Sequence, residues 1–329
     1  KNGKSAGVDG IQAELLKTGG DELVKKMTTL CNQVWKLEQV PRDWKDGMII
    51  PLPKKGDLRD CNNCRGIALL SVPGKVMSGI ILERIKAAID CSLRQQQAGF
   101  RKGRSCCDQV FTLRHIIEKV TALDTNLIIN FIDFKKAFDC LHRPAVWKIL
   151  TCYGIPEKII RVIQNFYKGS RCAVRSDGKI GDWFQIITSV KPGCLGLLSP
   201  LMFLIVMDWI LKHALDKNSV GLDWVDGRKL ADLDFADDIA LLSETWNEMQ
   251  EITNKVEDEA KKVGLHINTQ KTKLVKIGKI EDVRTIQAGG GQVEEVEQFC
   301  YLGSVIADDT SCDKEIKRDW ERQIQPSGG

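Results

Sequence analysis

Two groups of aspartates lie within apolar, strand-like runs of this sequence. Asp133 follows the run 127–132, and Asp237 and Asp238 lie inside the run 233–242. A buried carboxylate costs several kcal/mol unless it is paired or bound to a cation. A tight turn between two strands would expose Asp237 and Asp238 at its tip. If a neighbouring strand ends at Asp133, the three carboxylates converge on one point.

Three converging carboxylates supply the hard oxygen ligands that Mg²⁺ prefers. Two such ions, about 4 Å apart, serve in-line phosphoryl transfer. A second interpretation is that Asp237 and Asp238 are solvated turn residues, because aspartate is common in turns. The apolar runs on both sides of the pair favour the functional interpretation, without deciding it by themselves.

Composition limits the classes of protein that need to be considered. The chain has 329 residues, of which 43% are hydrophobic and 28% charged, which is typical of a globular protein with one large or two ordinary domains. Its apolar run 200–210 is shorter than a membrane span and contains Asp208, so a membrane protein is not expected. The net charge of +4 permits a nucleic-acid partner. Because no secretory signal is recognisable, the twelve cysteines are expected to be reduced.

The periodicity of apolar residues predicts the elements that must position these side chains. Helices are predicted at 10–40, 75–93, 106–121, 157–167, 200–215 and 244–263, with another from about 135 that is interrupted near Pro144. Strands are predicted at 47–55, 65–70, 127–134, 265–267, 274–277 and 299–306, with a hairpin in 171–190 and a strand pair in 232–243. Because strands and helices do not simply alternate, the sequence favours an α+β fold.

Several sequence blocks resemble a known family. The run FADD at 235–238 resembles the F/Y-x-D-D box of reverse transcriptases, and FIDFKKAFD at 131–139 resembles their first catalytic box. The residues that flank both boxes are similar to those of the non-LTR (LINE-type, jockey-like) retrotransposon polymerases. Further blocks follow in the family's order, at 7–17, 50–57, 65–71, 97–105, 264–273 and 299–304. The resemblance therefore covers nearly the whole chain.

The resemblance implies a right-hand polymerase fold. Fingers would occupy residues 1–120, an antiparallel-sheet palm with the carboxylates 121–306, and the start of a mostly missing thumb 307–329. The implied activity is RNA-directed DNA polymerisation, in which a primer 3′-hydroxyl attacks the α-phosphate of a dNTP with two Mg²⁺ ions, or Mn²⁺, as cofactors. The implied partners are an RNA template, a DNA primer or target DNA, and dNTPs, with no membrane. The implied location is intracellular, in the cytoplasm and nucleus.

The family's site residues are carried over position by position. The resemblance makes Asp133, Asp237 and Asp238 catalytic, with Asp133, Asp237 and the backbone carbonyl of Phe134 holding the metal ions. It assigns nucleotide binding to Lys55, Arg65, Phe138 and Gly193. It assigns template and primer binding to Arg101, Lys102, Arg104, Lys271, Tyr301, Leu302 and Gly303.

Some of these assignments compete with simpler interpretations. Phe138 is where the family places an aromatic that blocks a ribose 2′-hydroxyl, but an arbitrary phenylalanine on a helix is more often part of a core. The run at 101–104 would hold template phosphates, but it also resembles a solvated charged surface. Gly303 would allow close approach of a backbone.

One stretch departs from the family's pattern. Pro192 stands where the family has glutamine, and about two extra residues separate Gly193 from Ser199. This departure supports an alternative function, a degenerate and inactive element copy that at most binds nucleic acid. A weaker alternative is an unrelated two-metal nuclease. The blocks at 50–57 and 65–71, which resemble the family's fingers, and the block at 299–304, which resembles its primer-binding segment, disfavour this alternative.

Overall fold

The structure is a computed structural model. It describes residues 2–3, 5–53, 63–176, 178–187, 198–215, 220–224, 227–280 and 284–307, and for Arg65 the backbone alone. The chain forms two compact units, each discontinuous in sequence. The first contains residues 1–92 and 138–205, and the second residues 93–137 and 206–329.

The first unit is a helical assembly around a small mixed sheet. Its helices are α1 (Ala13–Thr18), α2 (Gly20–Leu37), α3 (Val72–Ser92), α5 (Ala137–Cys140), α6 (Arg143–Cys152) and α7 (Glu157–Tyr167). Its strands are β1 (Gly47–Pro53), β2 (Cys64–Leu69), β4 (Arg171–Ser176), β5 (Lys179–Ile180) and β6 (Phe184–Gln185). The apolar helix α8 (Leu198–Leu215) begins in this unit.

The central strand of the first unit's sheet is β1. It pairs antiparallel with β2, so that Met48 lies opposite Leu69, and parallel with β4, so that Met48 also lies opposite Ala173. The pairing with β4 brings residues after 138 into the same unit as the N-terminal helices. The expected division into fingers, palm and thumb, with boundaries at residues 120 and 306, is a different division from these compact units and stays a prediction.

The second unit contains the predicted catalytic strands. Its helices are α4 (Cys106–Ala122), the end of α8, and α9 (Trp246–Lys262). Its longer strands are β3 (Leu127–Ile132), β9 (Asp232–Phe235), β10 (Asp238–Ser243), β11 (Lys273–Ile277), β15 (Gln298–Tyr301) and β16 (Ser304–Ala307). Its two-residue strands are β7 (Leu222–Asp223), β8 (Lys229–Leu230), β12 (Gln287–Ala288), β13 (Gly291–Gln292) and β14 (Glu294–Glu295).

The second unit's main sheet has the strand order β14-β11-β3-β10-β9. All six residues of β3 are buried, as expected for a central strand with both faces covered. Apolar side chains of α4, including Leu113 and Ile117, join those of β3, β10 and β11 in one core. A reciprocal capping box between Ser105 and Asp108 fixes the start of α4, because each side chain accepts a hydrogen bond from the other's backbone N–H.

Most sequence-predicted elements are present, with small shifts at their ends. The strand expected at 265–267 is reduced to one bridge between Ile267 and Phe134. The predicted strand at 299–306 is the hairpin β15–β16. Helix α8 is long and apolar enough to cross a membrane, with mean hydropathy 1.5, but 72% of it is buried within the protein. None of the nine cysteines that the structure describes forms a disulfide.

A buried charge cluster joins α8 to β9 within the second unit. The Arg94 guanidinium lies 2.8 Å from the Asp232 carboxylate, 2.6 Å from that of Asp234 and 3.4 Å from that of Asp208. All three aspartates are buried. Burial and the neighbouring Asp232 hold the pKa of Asp234 well above its usual range, although Arg94 lowers it. A protonated Asp234 can therefore donate a hydrogen bond to Asp232.

Replacement of Arg94 by leucine should destabilise the protein by about 3–5 kcal/mol, because it leaves buried carboxylates without their cation. Urea denaturation measures the loss, which should be smaller at pH 5 than at pH 8 as the carboxyl groups take up protons. The matched control is Arg161→Leu, which breaks an exposed ion pair with Glu38 and should cost less than about 1 kcal/mol. Equal losses for the two variants would contradict the prediction.

Candidate active site

The hairpin β9–β10 carries two of the predicted catalytic aspartates. Asp238 pairs with Phe235, which leaves Ala236 and Asp237 as a two-residue loop. Ala236 has φ 60°, whereas Asp237 is not in the positive-φ region. This pattern fits a type II′ turn, which usually has glycine at its first central position. The turn places Asp237 at its tip and Asp238 at the start of β10.

Strand β3 delivers the third aspartate to the same edge. Ile132 pairs with Ile239 on β10, so continuing this register by one residue places Asp133 opposite Asp238. On the other side of β3, Phe131 pairs with Lys273, and continuing this register by two residues places Lys271 beside Asp133. Directly opposed residues in antiparallel strands have Cβ atoms roughly 5 Å apart. Asp133 therefore lies between another carboxylate and an ammonium group.

Burial raises the pKa of all three carboxyl groups, and repulsion from a neighbouring carboxylate adds to it at Asp237 and Asp238. Partial burial and the charges of Asp237 and Asp133 raise the pKa of Asp238 to about 6. Partial burial and Asp133 also raise the pKa of Asp237, although a backbone hydrogen bond lowers it. Both side chains remain solvent-accessible at the turn, so water screens part of this repulsion.

Asp133 is held firmly through its backbone. Its N–H donates to the Thr272 hydroxyl at 3.2 Å, and its carbonyl accepts from the Asn268 N–H at 2.8 Å. Burial raises the pKa of its carboxyl, while Lys271 and a side-chain hydrogen bond with Asn268 lower it. Carboxylate oxygen Oδ2 is buried without a hydrogen-bond partner and lies 3.9 Å from the Lys271 ammonium.

The donor set fits a divalent metal ion by chemistry. Hard carboxylate oxygens, one of them buried without a hydrogen bond, repel one another at one edge of the sheet, and a cation would relieve that repulsion. Within the described ranges, however, no three Asp, Glu, His or Cys side chains stand in coordinating geometry. Sharing an ion therefore requires the aspartate side chains to rotate toward each other.

The predicted carbonyl ligand lies at the same edge. Phe134 lies opposite Ile267 in a single antiparallel bridge. The two hydrogen bonds of this bridge are made by the residues on either side of Phe134, through the Asp133 carbonyl and the Lys135 N–H. In antiparallel pairing, the backbone groups of such a residue point away from the paired strand. The Phe134 carbonyl is thus directed toward the β10 side, where the other aspartates lie.

The structure describes the residues assigned to nucleotide binding only in part. Lys55 and Gly193 lie outside the described residues, as does the departing stretch around Pro192. Arg65 is on β2, and its side chain is not described. Phe138 is half-buried, and its ring stacks on that of Phe203 with centroids 4.1 Å apart. Its packing is compatible with both the core and the gate interpretations, so its role stays a prediction.

The basic residues of the run 101–104 differ in their contacts and exposure. One NH group of Arg101 donates to the carbonyls of Arg94 and Gln97, at 2.7 and 3.0 Å, so this side chain stabilises its own loop. The Arg104 guanidinium donates to the Gln95 side chain at 2.7 Å and is exposed. Lys102 is exposed. Template binding by these residues stays a prediction.

Three residues predicted to bind the template or primer, Tyr301, Leu302 and Gly303, belong to the hairpin β15–β16. The Tyr301 side chain is buried and its hydroxyl donates to the Leu233 carbonyl at 3.0 Å, so it supports β9 and does not face solvent. Leu302 and Gly303 form the turn with φ 50° and 89°. A Cβ on Gly303 would meet open space, so the glycine is explained by its φ and not by close packing.

A cavity of about 370 Å³ lies beside the catalytic strands and the β15–β16 hairpin. Its lining includes Asp133, Asp238, Lys271, Phe299 and Tyr301. Two of the three carboxylates, those of Asp133 and Asp238, therefore face a concave space between the catalytic strands and the β15–β16 hairpin. The arrangement can hold a cation and a polyanionic ligand side by side.

Comparison with known proteins agrees with this geometry. The family model described as reverse transcriptase (RNA-dependent DNA polymerase) matches residues 52–306. This chain belongs to the reverse transcriptase family. The match includes all three aspartates and the β15–β16 hairpin.

Similar curated proteins come from non-LTR retrotransposable elements, so this is a LINE-type reverse transcriptase domain. A 115 kDa protein of the Drosophila melanogaster type-1 element R1DM is 27% identical over 94% of this chain. The Pol polyprotein of the type-2 element R2DM is 26% identical over 84%, and the RNA-directed DNA polymerase of mobile element jockey 21% over 92%. The chain spans 29%, 26% and 33% of these relatives, respectively.

Solved structures agree on the fold. The apo telomerase of Candida tropicalis superposes with a TM-score of 0.57 at 15% identity, covering 88% of this chain and 53% of that one. A truncated form of that telomerase gives a TM-score of 0.51. The α+β prediction and the right-hand polymerase fold are confirmed.

Sequence reasoning missed the side chains that support the hairpin from behind. Asp208 was noted only as an interruption of an apolar run, although an aspartate on an otherwise apolar helix is itself a signal of a buried charge partner. Arg94, the partner, precedes three consecutive glutamines and gave no periodic signal.

Replacement of Asp238 by asparagine should stabilise the metal-free protein at pH 7.5. The folded pKa of about 6 exceeds the ordinary 3.8, so the carboxyl's contribution to stability is present at low pH and is lost between about pH 4 and 6. After allowance for screening, we expect a gain of about 1 kcal/mol at pH 7.5 and little gain at pH 4.

Urea denaturation in EDTA at both pH values measures this gain. The control is Asp258→Asn, which changes an exposed aspartate on α9 outside the cluster. A gain of the same size at both pH values would contradict the assigned repulsion.

Proposed function

We propose that this domain catalyses RNA-directed DNA synthesis by two-metal nucleotidyl transfer. The substrates are a dNTP and the 3′-hydroxyl of a DNA primer or nicked target DNA, with RNA as the template, inside the cell. Three aspartates at adjacent positions of one sheet edge, beside a concave space, are the observation that carries the proposal.

Each metal position is assigned to residues of this chain. Asp133 and Asp237 would hold both ions, the Phe134 carbonyl would complete one coordination shell, and Asp238 would supply further negative charge. When bound, Mg²⁺ ions acidify the primer hydroxyl and neutralise charge on the pyrophosphate leaving group.

Other residues of the site orient the reactants. Lys271, at 3.9 Å from Asp133, lowers the pKa of that carboxyl against the opposite effect of burial and supplies positive charge where the primer end or the triphosphate would approach. Phe299 and Tyr301 of β15 line the same cavity, and the β15–β16 turn would contact the primer backbone. The exposed Lys102 and Arg104 would bind template phosphates without reading sequence.

A second candidate function is nucleic-acid binding without catalysis. The altered stretch around Pro192 favours it, because proline lacks the side-chain amide and the backbone N–H that the family's glutamine provides. Primer extension on a homopolymer RNA template with dNTP and Mg²⁺ distinguishes the two candidates. Binding of primer–template without extension would support the second, and extension would support the first.

Replacement of Asp237 by asparagine should abolish nearly all primer extension and leave primer–template binding within about threefold. The substitution removes a metal ligand while preserving size and the turn. Mg²⁺ should stabilise the parent against heat, because a ligand that binds the folded state shifts unfolding by mass action, and should stabilise the variant much less.

Asp258→Asn is again the control, because it removes an exposed carboxylate of the same unit. Extension by Asp237→Asn at the parent rate would refute the metal assignment. The thermal measurement tests metal binding even if the parent chain does not extend primers.

Replacement of Phe138 by valine should admit ribonucleotides, since it opens space where a ribose 2′-hydroxyl would lie. We expect the ratio of rNTP to dNTP incorporation to rise at least ~10-fold, which corresponds to ~1.4 kcal/mol of discrimination. Single-nucleotide extension assays measure both rates. An unchanged ratio in a variant that still uses dNTP would show that the stacking on Phe203 is purely structural.

A further inference from the structure

Residues 94–101, which we call the clamp segment, run along the outer edge of β9. The Ala98 N–H donates to the Asp234 carbonyl at 2.9 Å, and the Asp234 N–H donates to the Gln96 carbonyl at 3.4 Å. From α4, the Gln109 side-chain amide adds hydrogen bonds to the Asp234 and Gln96 carbonyls, at 3.0 and 2.7 Å. The last strand of the sheet is thereby fixed on its outer side.

One side chain of the clamp segment reaches the catalytic turn itself. Gln97 is fully buried. Its Oε1 accepts from the Ala236 N–H and from the Gly99 N–H, both at 2.8 Å. Its Nε2 lies 3.5 Å from the Ala236 carbonyl, to which it donates. A single amide therefore contacts both backbone polar groups of the turn's first residue.

The turn needs such support because Ala236 carries a side chain at φ 60°. A non-glycine residue in this region costs of order 1–3 kcal/mol and persists where the surroundings determine its conformation. The approach of the clamp segment is also close, because a Cβ on Gly99 would overlap the Ala236 backbone nitrogen and lie 2.9 Å from its Cα.

We propose that Gln97 is a positioning residue that fixes the backbone of Ala236 and thereby sets the directions of Asp237 and Asp238. The inference rests on the proposed function for its catalytic consequence, but the hydrogen-bond clamp itself can be tested without activity. A displacement of ~1 Å near the reacting atoms can reduce the rate ~100-fold, so a loosened turn should affect turnover more than substrate binding.

The test compares Gln97→Met with Gln109→Met. Both variants replace a buried glutamine by an apolar chain of similar length and remove side-chain hydrogen bonds to the β9–β10 hairpin. The first removes those to Ala236 in the turn, whereas the second removes the one to the Asp234 carbonyl on β9 and leaves Ala236 untouched. If Gln97→Met does not fold, Gln97→Glu replaces it, since it keeps an acceptor oxygen and should give a smaller change of the same sign.

The first readout is hydrogen exchange of the Ala236 amide, measured by NMR in the metal-free protein. Exchange should accelerate at least ~10-fold in Gln97→Met and change less than threefold in Gln109→Met. Equal exchange in the two variants, or no acceleration in Gln97→Met, would overturn the clamp. This readout is independent of whether the chain polymerises DNA.

The second readout is steady-state primer extension over a range of Mg²⁺ concentrations. In Gln97→Met, kcat should fall ~100-fold and the Mg²⁺ concentration for half-maximal rate should rise several-fold, with the KM for primer–template within threefold. In Gln109→Met, the Mg²⁺ dependence should match the parent. Parallel losses in both variants would overturn the positioning role. A parent without extension would count against the proposed function, and the exchange rates would still decide the clamp.

Discussion

Repulsion between carboxylates is the constraint on which the catalytic sheet depends. In addition to partial burial, Asp133 raises the pKa of Asp237, and Asp237 and Asp133 raise that of Asp238, because the sheet edge holds the three carboxyl groups close together. Such an arrangement costs stability in the metal-free protein and must be supported by contacts elsewhere. The core beneath it, with β3 buried along its whole length, supplies that support.

The support continues behind the hairpin. Arg94 neutralises part of the charge of three buried aspartates, and two of them lie on β9. The Tyr301 hydroxyl and the Gln109 amide bind carbonyls of the same strand. The strand that leads into the catalytic turn is thus held by side chains from α4, the clamp segment and the β15–β16 hairpin.

The sequence predicted this hairpin well because its information is local. Apolar residues flank Asp237 and Asp238 on both sides, which is typical of two buried strands joined at a polar turn. The apolar run before Asp133 predicted strand β3 equally well. The α+β fold class followed from the order of the predicted helices and strands, and the family resemblance covered nearly the whole chain.

Contacts between distant residues could not be predicted in this way. Gln97 lies 139 positions from the residue whose backbone it binds, and no periodicity marks it. The resemblance assigned Tyr301 to primer binding, and no sequence pattern showed that its hydroxyl donates to the Leu233 carbonyl. The parallel pairing of β4 with β1, which makes the first unit discontinuous in sequence, is likewise not encoded by local patterns.

The discontinuity of the second unit has a consequence for synthesis of the protein. Strand β3 is entirely apolar except for Asn130, and both of its partners, β10 and β11, begin more than 100 residues later in the chain. At ribosomal rates of about 5–20 residues per second, it waits roughly 5–20 s for the nearer partner. During that interval a β-prone segment of low charge is exposed to aggregation. We therefore expect the yield of folded protein to depend on how well chaperones shield this segment of the nascent chain.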